Sequence, residues 1–403
     1  MIEKQLRNDV IVEKILIGLV GFAGILFVFL LFVSNPEMSQ SGKKSKQVQT
    51  ARIMANGDLL YHDLLYMSAL QVDGNYDFTE NFTYVKPWLE QADLVLGDFE
   101  GTINEDYPLG GYPLFNAPRS VVTAIKDAGY DVVDLAHNHI LDSGLSGAMT
   151  TATAFHLFGI DSVGIYESPV RDKAPLLIKK VNGIKIAILA YSYGYNGMEE
   201  GLTEQEIVHH LSNMDRKRMK AEIERAEKEA DITIVMPQMG VEYQLEPTDD
   251  QVELYHKMID WGADIIFGGH PHVVEPSEIL TKDGQSKLII YSMGNFISNQ
   301  RIETMEGVEN AEWTERGILM DVTVEKKNGK TIIKTAQARP SWVNRLPKGT
   351  ISPEGYSLYT YQTLILEDFI QGGKFRDQLD PDTQARIDTA YEEMLAHVNL
   401  QWK

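Results

Sequence analysis

Six short polar clusters interrupt an otherwise apolar pattern: Asn56-Gly57-Asp58, Gly97-Asp98-Phe99-Glu100, His137-Asn138-His139, Gln238-Met239-Gly240, Gly269-His270-Pro271-His272 and Gly294-Asn295. Carboxylates, imidazoles and side-chain amide oxygens are the donors that Mn²⁺, Fe²⁺, Zn²⁺ or Mg²⁺ accept. Two such ions linked by carboxylates can clamp both oxygens of a displacement reaction. The neighbouring glycines let the backbone turn sharply. A histidine beside the ions without ligating them, such as His139, could protonate a leaving oxygen. Taken singly, each cluster has a plainer reading. Asn-Gly-Asp is a turn, Asp98 can cap a helix whose first turn holds Glu100, and His-Pro-His is a turn with surface imidazoles. His137-Asn138-His139 fits that treatment less well, because three polar groups after Val-Val-Asp-Leu-Ala suit neither a core nor an ordinary loop.

Position is what unites the clusters. Each falls just past an apolar run that reads as a strand, at 52–55, 93–96, 132–135, 232–236, 264–267 and 288–291. Two more strand candidates, 176–181 and 184–190, flank Asn182-Gly183, a hairpin signal, and a second hairpin joins 318–324 to 331–336. Helical patterns fall at 80–90, 120–128, 146–158, 215–229 and 249–261, and the alternation is that of an α/β domain. In a parallel sheet the strand carboxyl ends line one edge, and ligands bind in the crevice outside them. All six clusters are therefore expected to converge there. Past Pro347 the pattern turns helical, at 360–371 and 382–398, which suggests an extension over 346–403 packing on a body of 51–345. His209-His210 reads as a solvated pair, and Tyr191-Ser192-Tyr193-Gly194-Tyr195 as a groove lining or rim packing.

Composition narrows the chemistry further. The chain has 403 residues and no cysteine, which excludes disulfide frameworks, thiolate metal sites and a cysteine nucleophile. It carries 37 basic against 58 acidic residues, a net charge of −21, so nucleic acid is not an expected partner. Residues 15–33 are nineteen in a row without a charge, which at about 1.5 Å each nearly cross a hydrocarbon core of roughly 30 Å. The run is longer than the apolar region of a signal peptide, and no small-x-small cleavage site follows it. It reads as an uncleaved anchor after a cytoplasmic tail, 1–14, and before a polar, flexible stalk, 34–50. With Lys14 as the nearest flanking cation, the expected topology is a cytoplasmic N-terminus with the body outside the cell membrane. Six basic and four acidic residues precede Ala51, so the exported body keeps 31 against 54 and a charge of −23.

At these residues the chain resembles the CapA/PgsA family of capsule-synthesis proteins, which act in poly-γ-glutamate capsule biosynthesis and belong to the calcineurin-like metallophosphatase superfamily. The resemblance covers about 51–300 and rests on Asn56-Gly57-Asp58, Gly97-Asp98-Phe99-Glu100-Gly101, Asn138-His139 with Asp142 and Gly144, Gly240 with Glu242-Tyr243, Gly269-His270-Pro271-His272 and Tyr291-Ser292-Met293-Gly294-Asn295-Phe296. It implies a four-layer αββα metallophosphatase-like sandwich. Its metal site would use Asp58, Glu100, Asn138, His270 and His272, with Asp98 and Gln238 as further candidates. His139 would be the catalytic histidine, and one or two divalent ions (Mn, Fe or Zn) the cofactor. The chain also departs from the family pattern. Gln238-Met239-Gly240 stands where relatives commonly read His-Trp-Gly, His62 lies too far beyond Asp58 to serve as the usual Asp-x-His partner, and Asn299 replaces a common Asp. Fewer charged or imidazole ligands imply weaker metal binding, and one ion instead of two.

Two functions are compatible with this reading. The first is a membrane-tethered, metal-dependent hydrolase acting on a phosphoester or on a surface polymer. The second is a non-catalytic scaffold subunit of a polymer synthase or exporter, using the same fold without turnover. Both make synthase or export subunits the expected partners.

Overall fold

The computed structural model of the chain describes residues 48–167 and 176–402. The anchor expected at 15–33, its cytoplasmic tail and most of the stalk lie outside these residues, and no helix among the described residues is long and apolar enough to cross a membrane. Strand β1 (Gln49–Leu60) already includes the last two residues of the expected stalk.

Two sheets make up the body. The first holds β1, β2 (Leu94–Glu100), β3 (Val132–Asp134) and β4 (Asp161–Val163) from the first part of the chain. The second is built from β5 (Leu177–Val181), β6 (Ile184–Ser192), β7 (Ile232–Gln238), β8 (Ile265–Phe267), β9 (Ser277–Lys282) and β10 (Gln285–Ile290). The chain then returns to the first sheet with β11 (Asn295–Ile297), β12 (Arg316–Lys327), β13 (Lys330–Ile351) and β14 (Ser357–Ile365). The first sheet runs β14-β13-β12-β1-β2-β3-β4 with β11 pairing β1, and the second runs β5-β6-β7-β8-β10-β9. Strands β1–β4 are parallel, as are β6, β7, β8 and β10. Both expected hairpins form, β5–β6 around Asn182-Gly183 and β12–β13.

Alternation along the strands explains how the sheets stack. Ile53, Leu96 and Val132 share one apolar cluster with Ile186, Ile234, Phe267 and Ile290 of the other sheet. Their neighbours Met54, Val95 and Val133 face the opposite way, onto α3 (Ser120–Ala128) and α4 (Gly144–Leu157), which follow the short α1 (Asp63–Ala69) and α2 (Lys86–Leu89). On the far side, Val235, Ile266 and Ile289 pack against α6 (Arg216–Glu229) and α7 (Asp249–Trp261), which follow α5 (Glu204–His210). Helix α8 (Pro381–Val398) starts on an Asp380 cap and inserts Ile387, Ala390 and Met394 into the cluster between the sheets.

The C-terminal expectation needs correction. Residues 360–371 were expected to be helical, but Ser357–Ile365 is a strand paired antiparallel to β13, and of the extension only Pro381–Val398 is an α-helix. Tyr361 and Ile365 face one core while Leu364 faces the other, so burial on both faces erases the alternation that marks a strand.

One close approach governs the site end of the sheets. The register of β1 against β2 shifts between Ala55 and Asp58, so Asn56-Gly57 forms an irregularity that re-aims the chain. A Cβ on Gly57 would lie 1.9 Å from the Gly294 carbonyl oxygen, the atom that accepts from Asp58 N at 3.0 Å. Gly57→Ala therefore forces β1 and β11 apart and is expected to destabilise the full chain by about 1–3 kcal/mol. Urea unfolding checks this, and an unchanged midpoint would mean that the two strands have room to separate.

Candidate metal centre

Parallel pairing places polar residues side by side. Asp58 on β1 is level with Asn295 on β11 and with Asp98 on β2, and Asp98 is level with Asp134 on β3. Asp98, Glu100 and Asp134 share the parity of Leu94, Leu96 and Val132, so they continue the inward-facing rows beyond the end of the apolar core. From the other sheet, Gln238 continues the inward row of Ile232, Ile234 and Met236. The crevice between the carboxyl ends of the two sheets is thus lined with donors from both.

Asp58, Glu100 and His272 form the tightest group, offering ligand atoms that all lie within 4.8 Å of one another. His272 Nδ1 is 2.8 Å from Asp58 Oδ2, 3.2 Å from Asn295 Oδ1 and 3.8 Å from Glu100 Oε2. His139 stands beside this group, with Nε2 4.0 Å from Glu100 Oε1 and Nδ1 2.8 Å from Asp142 Oδ2. The Gln238 side-chain amide donates to Asp98 Oδ2. His270 lies against the Tyr193 ring, 4.6 Å between centroids, with its own ring 6.1 Å from that of His272. Asn138 lies toward Tyr193 as well, its Nδ2 3.4 Å from Asn196 Oδ1. His270 and His272 both have positive φ, 98° and 59°. Such backbone costs about 1–3 kcal/mol per residue and collects at functional sites.

A cation fits this donor set. Asp58 Oδ1, Asp98 Oδ1, both oxygens of Glu100, Asn138 Oδ1, Gln238 Oε1 and His270 Nδ1 are all buried without a hydrogen-bond partner. All can act as electron-pair donors, and a buried acceptor left alone costs about 1–3 kcal/mol. The titration behaviour follows from crowding. Burial, then the charges of Asp134, Asp58 and Glu100, holds Asp98 well above the usual carboxylate range. Burial also raises Asp134, and pushes Glu100 up to about 7 against the opposing pull of His272. Burial would lower His272, yet Glu100 and Asp58 outweigh it and draw the imidazole up to about 10. Burial and the neighbouring imidazoles take His270 down to about 3, which leaves it neutral. Burial opposes protonation of His139, but the Asp142 hydrogen bond and the Glu100 charge prevail and raise it.

Several neighbours carry no role in the motif-based reading. Asp134 reads in sequence as part of a strand, and only the register reveals it level with Asp98 on the neighbouring strand. His62, too far beyond Asp58 for the Asp-x-His pattern, nevertheless interacts electrostatically with His272 and His139. Phe115 packs edge-on against both, 5.1 Å from the His62 ring and 4.7 Å from that of His139. Tyr243 stacks near His272 at 6.1 Å. His137 is a core residue, fully buried and 3.3 Å from Gly101 N.

Removing one buried charge tests the centre. In metal-free full-length chain, Glu100→Gln removes a carboxylate whose charge is disfavoured chiefly by burial, and is expected to raise the melting temperature. Mn²⁺ at 100 times its Kd adds about 2.7 kcal/mol to the wild type, and the variant is expected to lose most of that gain. Thermal melts with Mn²⁺ and with EDTA read both effects, and equal stabilisation of the two proteins by Mn²⁺ would take Glu100 out of the site.

Comparison with known proteins adds ancestry to this geometry. The family model described as "Bacterial capsule synthesis protein PGA_cap" matches residues 52–300. The chain is 33% identical over 222 residues to the PGA biosynthesis protein CapA of Bacillus subtilis (strain 168), covering 54% of this chain and 57% of that protein. It is 32% identical over 228 residues to the capsule biosynthesis protein CapA of Bacillus anthracis, covering 54% of each. The chain thus spans little more than half the length of these curated relatives. Among solved structures it is similar to the calcineurin-like phosphoesterase YfkN from Bacillus subtilis, with a TM-score of 0.42 and 15% identity over 88% of this chain and 100% of that one. It is also similar to a phosphatase from Mycoplasma pneumoniae, with a TM-score of 0.43 and 14% identity over 73% and 94%.

Proposed function

Because the chain belongs to the bacterial capsule synthesis family PGA_cap, we propose that it is a membrane-anchored extracellular protein of capsule synthesis or export, acting as a metal-dependent hydrolase. In this reading 15–33 is the anchor, and the body is an αββα sandwich of metallophosphatase type. The polymer is poly-γ-glutamate or a related surface polymer, and synthase or export subunits are the partners. The observation that carries the enzymatic part is the set of buried, unpartnered acceptors around Asp58, Glu100 and His272.

Asp58, Glu100 and His272 would hold a divalent ion, with Asn138, His270, Asp98 and Gln238 completing the donor set. When bound, such an ion supplies Lewis-acid polarisation of a phosphoryl or carbonyl oxygen. The protein's own contribution centres on His139. Asp142 fixes its Nδ1, leaving Nε2 directed toward Glu100, and against the opposing effect of burial the Asp142 hydrogen bond and the Glu100 charge favour the protonated ring. Nε2–H is therefore the donor to a leaving oxygen or nitrogen, and Asp142 steadies the imidazolium. Phe115 limits the swing of the ring by packing edge-on against it. Tyr193, 47% exposed, gives the substrate a surface at the mouth.

One feature favours a second reading, a scaffold subunit without turnover: Gln238 contributes a neutral amide that is already engaged with Asp98. His139→Ala in full-length chain separates the two. The hydrolase reading expects kcat on a chromogenic phosphoester or on the polymer amide to fall about 10²–10⁴-fold with metal content unchanged. A metal-loaded wild type inactive on both, together with normal capsule in cells carrying His139→Ala, leaves the scaffold.

A further inference from the structure

The acceptors in the crevice divide into two unequal groups. Asp58, Glu100 and His272 bring two carboxylates and an imidazole together, and among the described residues no other three His, Asp or Glu side chains gather so closely. The remaining unpartnered donors are weaker. Asn138 Oδ1 and Gln238 Oε1 are amide oxygens, buried and unpartnered like His270 Nδ1. The Asp98 carboxylate already accepts from the Gln238 amide N–H.

The fold holds Gln238 in that role. It ends β7 facing the other sheet and bridges to Gly269, immediately before His270. The fit is close: a Cβ on Gly269 would meet Gln238 Nε2 at 2.6 Å and Asp98 Oδ2 at 2.7 Å. An amide N–H cannot ligate a cation, and an amide oxygen adds no charge. With Oδ2 taken by that N–H, an ion entering this position finds only Oδ1 of Asp98, one imidazole and neutral amides, a poor set for a divalent ion.

Building on the metal centre proposed above, we infer that the centre is asymmetric: one divalent ion is retained by Asp58, Glu100 and His272, while Gln238 keeps a second position around Asp98 and His270 weak by supplying an N–H where a second cation would otherwise satisfy Asp98. Gln238 is thus the residue that sets metal count in this chain.

The test is retained metal, measured independently of activity. Full-length chain in mild detergent is loaded with excess Mn²⁺, gel-filtered, and its manganese determined by elemental analysis. The wild type is expected to keep about one ion per chain, Gln238→Glu about twice as much, and His272→Ala almost none. A wild type that keeps two ions overturns the asymmetry and leaves the metal centre standing, whereas one that keeps none overturns both. Gln238→Glu that matches the wild type in circular dichroism and melting yet keeps only one ion removes Gln238 as the determinant. Should that variant fail to fold, Gln238→His decides in the same way, with an imidazole in place of the carboxylate.

Discussion

Four carboxylates, those of Asp58, Asp98, Glu100 and Asp134, are almost completely buried at the ends of three neighbouring strands. Like charges that close in a dry crevice cannot all stay ionised unless something positive joins them. The largest charge effects on Asp98, Glu100 and Asp134 come from Asp58, from one another, from Glu242 and from imidazoles. The crevice therefore either holds protons, as the upward shifts indicate, or holds a cation. Replacing buried charges by well-packed apolar side chains is often neutral or stabilising, so this arrangement points to binding rather than to folding.

The rest of the structure can be understood as supporting that unfavourable cluster. The continuous apolar layer between the two sheets fixes the strand ends that carry the donors, so neither sheet can slide without moving half of the site. Close backbone contact at Gly57 and Gly294 brings Asp58 level with Asn295, and Asn295 in turn reaches His272. Positive φ at His270 and His272 turns two adjacent imidazoles into the crevice from one tight loop around Pro271. Each device is locally costly, and together they are sustained by a large buried core on either side of both sheets.

Much of this is legible in the sequence, for a simple reason. A buried parallel strand reads as an apolar run, and the residues just past its end are the ones the fold exposes to a ligand crevice. Gln238, Asp98 and His270 could be named because each follows such a run. What the sequence hid was of two kinds. Short strands such as Asp161–Val163 and Asn295–Ile297 are held by their neighbours rather than by their own pattern, and β14 lost its alternation by being buried on both faces. Lateral register was the other gap. Nothing in Val132-Val133-Asp134 says that its aspartate will sit beside Asp98, and nothing after Leu60 says that the chain will carry His62 back toward His272.

Electrostatics links the crevice to the rest of the molecule. The body from Ala51 carries a charge of −23, and Glu242 at the mouth adds to the negative potential felt by Glu100, Tyr193 and Tyr243. An anionic group drifting toward this surface is repelled everywhere that acidic side chains dominate, and that repulsion is screened over about 8–10 Å at ordinary ionic strength. A divalent ion among Asp58, Glu100 and His272 would reverse the sign only inside the crevice, over a few ångströms, where screening by solvent is weakest. Charge would then select for contact at the centre rather than for adhesion along the surface.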